Sequence, residues 1–225
     1  MVNHKIATAV LAGALFAAPP AMAQFGSLLS NLTSLAGGGS SSVTNPDTFI
    51  QSAIAAEKLM NNSVTLLSRS LISKEKSAEF EAERKAAMLI TDAAERNAKL
   101  TEVRKSNSAA LNEAAGNAKL EDDIKMMDDK KRGDLSSAAF NFMLALLQDK
   151  ALVFQAHGLI SSLASNPMNL MKLGNIKDLV SSLTNQVADA SGVAGKMPQI
   201  FSAVGVTPPT SKDDKPKLVA EVDSE

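Results

Sequence analysis

The stretch from Leu135 to Leu163 limits what this chain can become more than any other. Leu135, Ala138, Ala139, Phe142, Leu146, Val153, Ala156, Ile160 and Leu163 recur three or four residues apart, so a helix gathers them on one broad apolar face. Phe140, Met143, Leu144, Leu147 and Leu159 carry that character around most of the cylinder, which predicts a helix covered on several sides by other helices. Asp149 and Lys150 interrupt it midway, and charges at a bilayer centre are costly, which argues against a membrane span.

The N-terminus carries the second strong signal. Lys5, the apolar run from Ile6 to Ala18 and the small-residue site Ala21-Met22-Ala23 follow the pattern of a secretory signal peptide, with cleavage expected before Gln24. The run is shorter than the roughly 20 residues a membrane span needs. Residues 1–23 are therefore assigned to a signal peptide, and the mature chain is expected in the bacterial periplasm or outside the cell.

Removing 23 of 225 residues leaves 202, enough for one domain or one elongated bundle. Lys5 is the only charge lost, so 22 basic residues (23 less one) face 24 acidic ones, a net charge of −2 that implies no nucleic-acid partner. The sequence has no Cys, which excludes disulfides, thiolate metal sites and cysteine nucleophiles, and leaves apolar faces to hold the fold. Trp and Tyr are absent too, which weakens the case for an aromatic ligand pocket or a single-stranded nucleic-acid groove.

Residues 24–44 read as an amphipathic segment on a tether. Phe25, Leu28, Leu29, Leu32 and Leu35 fall on one side of a short helix, and Gly37-Gly38-Gly39-Ser40-Ser41-Ser42 follows as a linker. These five residues are the candidate interaction site. A membrane-surface helix normally carries Lys or Arg on its polar face, and residues 24–44 carry neither, so a protein contact is favoured over lipid.

A helical bundle is expected over residues 45–206. Asn45-Pro46 can cap and start its first helix, which Ile50, Ala53, Ile54, Met60, Val64, Leu67 and Leu71 carry to about Ser73. From Lys74 to Arg132 the composition favours one long charged helix, with a break expected near Gly116, since Ser106-Asn107-Ser108 and Asn112 to Asn117 are weak helix formers on either side of the midpoint. Five acid-first pairs, Glu81 with Lys85, Asp92 with Arg96, Glu95 with Lys99, Glu121 with Lys125 and Asp128 with Arg132, sit four apart on its solvated side. The other side carries Phe80, Ala87, Ile90, Ala94, Leu100, Val103, Leu111, Ala115, Ala118, Ile124 and Met127.

Gly133 is expected to end that helix and Asp134 or Ser136 to start the next. Asn166-Pro167 starts another, Gly174-Asn175 punctuates it, and Gly192 and Gly195 close it. Pro208-Pro209 and the charged run after it read as a disordered tail over residues 207–225. The fold expected is all-α, an elongated antiparallel bundle with one long charged helix and a very apolar central helix.

Little chemistry is written into this pattern. After export the only His is His157, so neither a Glu-x-x-His di-metal bundle nor a zinc site has its ligands, and haem held by His157 and a Met is the single cofactor idea left. The acids Glu121, Asp122, Asp123, Asp128 and Asp129 lack the spacing of a calcium loop. No Gly-x-Ser-x-Gly elbow or phosphate loop occurs. Arg132-Gly133-Asp134 spells an adhesion tripeptide, which a Gly cap followed by an Asp cap also explains. The expectation is a non-catalytic protein without cofactor or metal, working through helix contacts with protein partners or itself as a scaffold, a secretion or pilus accessory, or a chaperone-like protein. A membrane-active, pore-forming-like helical protein is the alternative.

Overall fold

The computed structural model describes residues 45–165 and 170–218, and every regular element among them is an α-helix. In chain order these are α1 (Pro46–Leu71), α2 (Lys74–Met88), α3 (Ala93–Ala115), α4 (Leu120–Met126), α5 (Asp129–Ala164), α6 (Leu170–Ala194) and α7 (Met197–Val204). The all-α bundle expected from the sequence is thus observed. The tethered segment with Phe25, Leu28, Leu29, Leu32 and Leu35 lies outside the described residues, as does Asn166-Pro167.

α5 is the axis of the bundle. Its 36 residues extend about 54 Å at 1.5 Å per residue, and α1 packs along it most extensively, followed by α6. Both neighbours run opposite to it. Phe49, Ala53 and Ala56 of α1 meet Leu152, Ala156, Leu159 and Leu163 in one apolar cluster, while Leu59, Met60 and Leu67 meet Leu135, Ala138, Phe142 and Leu146 in a second. α6 repeats this order, with Leu173, Ile176 and Leu183 in the first cluster and Ala190 and Val193 in the second. α3 leans on α6, α1 and α2, and α7 seals the second cluster with Met197, Ile200 and Phe201. Where α3 meets α6, Gly192 permits the approach: a Cβ there would sit 3.2 Å from the Asn112 side chain.

Local signals placed the first helix correctly. Asn45 accepts a hydrogen bond from the Asp47 amide at 2.9 Å, Pro46 occupies the first turn, and Lys172 pairs with Asp47 at 3.2 Å. At the far end Arg69 holds Glu81 through two bonds of 2.6 and 3.0 Å, which fastens α2 against α1.

The expected long charged helix is not one element. It breaks near Gly116 as anticipated, where α3 ends at Ala115, but also between Met88 and Ala93 and again at Met127 and Asp128. Two of the supposed acid-first pairs are instead the caps at these breaks. Asp92 accepts from the Glu95 amide and Asp128 from the Lys131 amide, both at 2.8 Å. A short Asp side chain reaches a free amide three residues on, and that bond satisfies a donor the helix start would otherwise leave unpaired. Of the cations assigned to them, Arg96 donates to the Ile90 carbonyl at 3.0 Å and Arg132 pairs with Asp129 at 2.5 Å. Lys99 turns to Glu102 at 2.8 Å, while Glu121 with Lys125 keeps the expected geometry, at 2.7 Å.

Gly133 does not end a helix. It lies exposed in the second turn of α5, so Arg132-Gly133-Asp134 is helical and not a turn. Gly174 likewise lies inside α6, and Gly192 precedes the end of that helix by two residues. Gly116 directly follows α3 and Gly195 directly follows α6, the latter closing its helix as expected, and Gly205 ends α7 with φ 69°, where the Val206 amide bonds back to the Phe201 carbonyl at 3.1 Å.

The tail departs furthest from expectation. Residues 207–218 are laid along α5 instead of being disordered, while 219–225 lie outside the described residues. Asn141 of α5 accepts from the Lys217 amide at 2.8 Å and donates to the Lys217 carbonyl at 2.9 Å. One helical stretch away Gln148 donates to the Lys212 carbonyl at 3.1 Å, and the Lys217 ammonium sits 4.7 Å from the Phe140 ring centre. Composition suggested disorder because the tail offers few apolar atoms to bury. The helix compensates by supplying two buried amide side chains that bind main chain, whatever the tail's own side chains are.

Gly133 gives a direct test of where α5 begins. A methyl added there meets nothing within 4 Å, so Gly133→Ala should stabilise the chain by about 0.5–1 kcal/mol through helix propensity. Thermal melts followed by circular dichroism should show a higher Tm; a lower one would place Gly133 back in a left-handed turn.

Candidate functional site

Between the two apolar clusters runs a polar layer drawn from four helices. On α1 it falls between Ala56 and Leu59 and supplies Glu57; on α5, between Leu146 and Leu152, it supplies Gln148 and Asp149; on α6, between Leu183 and Ala190, it supplies Gln186 and Asp189. α3 contributes Arg104. The periodicity that builds each apolar face is interrupted at matching heights, so Asp149 meets Gln186 and Arg104 meets Asp189 instead of hydrocarbon, while Gln148 turns to the tail.

Asp149 is the centre of this layer. It is fully buried (0% exposed), and its Oδ2 accepts from Gln186 Nε2 at 2.7 Å, while Oδ1 has no partner. Loss of hydration pushes its carboxyl up to about 7; the Gln186 hydrogen bond opposes that, the Glu57 charge adds to it, and Arg104 offsets it in part. Glu57 is raised as well, by burial and against the pull of Arg104. Arg104 is shared: its Nε donates to Asp189 Oδ2 at 3.1 Å, with both side chains 15% exposed. Three acids thus feel one guanidinium, which hydrogen-bonds Asp189 and not the deepest of them, Asp149.

This arrangement can hold and release a proton. It offers no nucleophile beside a base, and among the described residues no group of three or more Asp, Glu or His side chains is placed to hold a metal ion. His157 is exposed on α5, with Nδ1 3.1 Å from the Val153 carbonyl of its own helix, away from the layer. Of the acid run, Glu121, Asp122 and Asp123 occupy the first turn of α4, and Asp128 and Asp129 open α5.

Two surface features complete the inventory. A solvent-open cavity of about 440 Å³ lies where α1 starts and α5 ends, lined by Asn45, Pro46, Asp47, Leu159, Ser162, Leu163 and Lys172. Phe154 stands 82% exposed on the outer side of α5. The sequence flagged Asp149 only as an interruption of an apolar helix; nothing in the pattern paired it with Gln186, 37 residues away.

Compared with known protein families, with curated proteins and with solved structures, the chain matches none.

The layer has a signature in the pH dependence of folding. Asp149 has its folded-state pKa raised from 3.8 to about 7, so between these values the native chain keeps a proton that the unfolded chain releases. Its contribution is greatest below about pH 4 and is lost as pH rises through 7, by on the order of 4 kcal/mol at most. Denaturant melts of the parent chain and of Asp149→Asn at pH 5 and pH 8 should show the parent losing stability between the two and the neutral variant losing much less. Equal slopes would mean that Asp149 ionises freely in the fold.

Proposed function

We propose that this chain is an exported, non-catalytic helical protein of the bacterial periplasm or exterior that acts through contact with other polypeptides. The single observation that carries this reading is the outer face of α5. Phe140, Leu147 and Phe154 recur seven residues apart on it and so share one side of the helix. The first two are partly covered, and Phe154 is left open on the half of α5 that packs against the start of α1. An exposed aromatic on the central helix, with an amphipathic segment preceding α1 in the sequence, is the raw material of a protein interface. Phe25, Leu28, Leu29, Leu32 and Leu35 are the proposed contact residues of that segment, and the leader pattern of residues 1–23 supports export. Scaffold, secretion or pilus accessory, and chaperone-like roles are forms of this one activity.

A membrane-active role is the second reading, and α5 is the observation that favours it. It is the one helix among the described residues long and apolar enough to cross a bilayer by length and composition, with 56% of its most apolar window buried. Asp149, the buried acid in that helix, has its carboxyl raised to about 7, so mild acid neutralises it.

Two measurements separate these readings. Mass spectrometry of the chain expressed with its leader should find Gln24 at the N-terminus, and dye-loaded anionic vesicles should stay intact with the processed chain at pH 5 and pH 7. Retained residues 1–23 would sink export, and prompt leakage would favour the membrane reading. With partners captured from an envelope extract, deletion of residues 24–44 or Phe154→Ser should lower recovery about tenfold.

A further inference from the structure

The groove on α5 that holds the tail is not fully satisfied by it. Asn141 uses both its donor and its acceptor on Lys217, whereas Gln148 uses only its donor; its Oε1 is buried with no partner although the residue is just 3% exposed. A buried acceptor left unpaired costs free energy, so the tail of the same chain is an imperfect occupant.

The reason lies in the path the tail must take. Asn141 and Gln148 are seven residues apart on a helix, about 10.5 Å, but the tail residues they bind, Lys217 and Lys212, are five apart and would span about 16 Å if extended. A turn at Ser211–Asp214 takes up the excess. That turn consumes main-chain donors: Thr210 and Ser211 amides bond to Asp214 Oδ2 at 2.8 and 3.1 Å, Asp213 to Ser211 Oγ at 3.1 Å, and Asp214 to the Ser211 carbonyl at 3.2 Å. None of these four amides serves Gln148. The tether explains the turn, because α7 is anchored by buried Ile200 and Phe201, and only residues 205–211 join it to the first clasp.

We infer that this groove is a receptor for an extended segment supplied by another chain, and that its occupant is the tail of a second copy of this protein, exchanged reciprocally. A tail arriving from another molecule does not need the Ser211–Asp214 turn. With Lys217 on Asn141, three residues of polyproline-II chain cover about 9.3 Å and bring Asp214 opposite Gln148, with its amide free for Oε1. Pro216, between these two positions, favours that extended form. The Asn141–Lys217 clasp made within one chain is made again between two, Asp214 takes the place of Lys212 at Gln148, the amides of the opened turn go to water, and one unpaired acceptor per groove is removed; exchange of an identical element is in this way a route to a dimer. Because the resident tail competes at high effective concentration, exchange appears as the protein is concentrated. This names one partner for the protein-contact role proposed above and fails separately from it, since that role also admits partners other than a copy.

Sedimentation of the full chain from micromolar to millimolar concentration tests the exchange, with helicity by circular dichroism confirming that each variant is folded. The parent chain should show a monomer–dimer equilibrium. Asp214→Ala, which opens the turn without touching the clasps, should tighten the dimer about tenfold, whereas a dimer built on any other surface would not respond. Asn141→Ala breaks the groove and Lys217→Pro removes the amide that Asn141 binds, so each alone should remain monomeric. An equimolar mixture of these two should recover a dimer, because one intact groove meets one intact tail. A parent chain monomeric throughout, an unresponsive Asp214→Ala, or a mixture without dimer overturns the inference.

Discussion

Everything in this fold answers one demand: α5 has no side open to water over about two-fifths of its length. From Leu135 to Asp149 not one residue is exposed. An ordinary amphipathic helix needs cover over one stripe, but this one must be enclosed. α1 and α6 close two sides with long antiparallel seams, α7 caps a third over the second cluster, and the strap of residues 207–218 closes what remains. With no Cys and no assembled metal ligands among the described residues, enclosure of this helix is the principal source of stability on view.

Much of that enclosure could be foreseen from residues. Apolar spacing located α1, α5 and α6, and the Asn45-Pro46 start was right in its atomic detail. What spacing alone misjudged was the role of short acids. An Asp with a cation four residues later reads equally as a surface pair or as a cap, and Asp92 and Asp128 proved to be caps, while the long-armed Glu121 kept its Lys. Side-chain length carried the missing information: Asp sits close enough to its own backbone to bind a free amide, whereas Glu reaches past it. Gly133 misled for a related reason, since a glycine in open space on a helix surface has the same letter as one at φ 69°.

The polar layer and the strap were not legible in the sequence, and for one common reason. Both depend on partners distant along the chain, Asp149 on Gln186 and Asn141 on Lys217, and no local periodicity encodes a contact across 37 or 76 residues. The strap has a further disguise. Asn141 and Gln148 bind main-chain atoms, so the tail needs no recognisable motif, and its composition of Lys, Asp and Pro is that of a solvated end.

The polar layer also fixes how the long helices are indexed. Antiparallel seams of Leu, Ile and Ala are nearly self-similar from one turn to the next, and would let neighbouring rods creep lengthwise at small cost. Shifting α6 by a single turn would bring Ala190 or Leu183 opposite the Asp149 carboxyl in place of Gln186, and strand an acid against methyl groups. The layer therefore serves as a detent: a modest loss of cohesion in the middle of the bundle excludes every slipped alignment on either side of it.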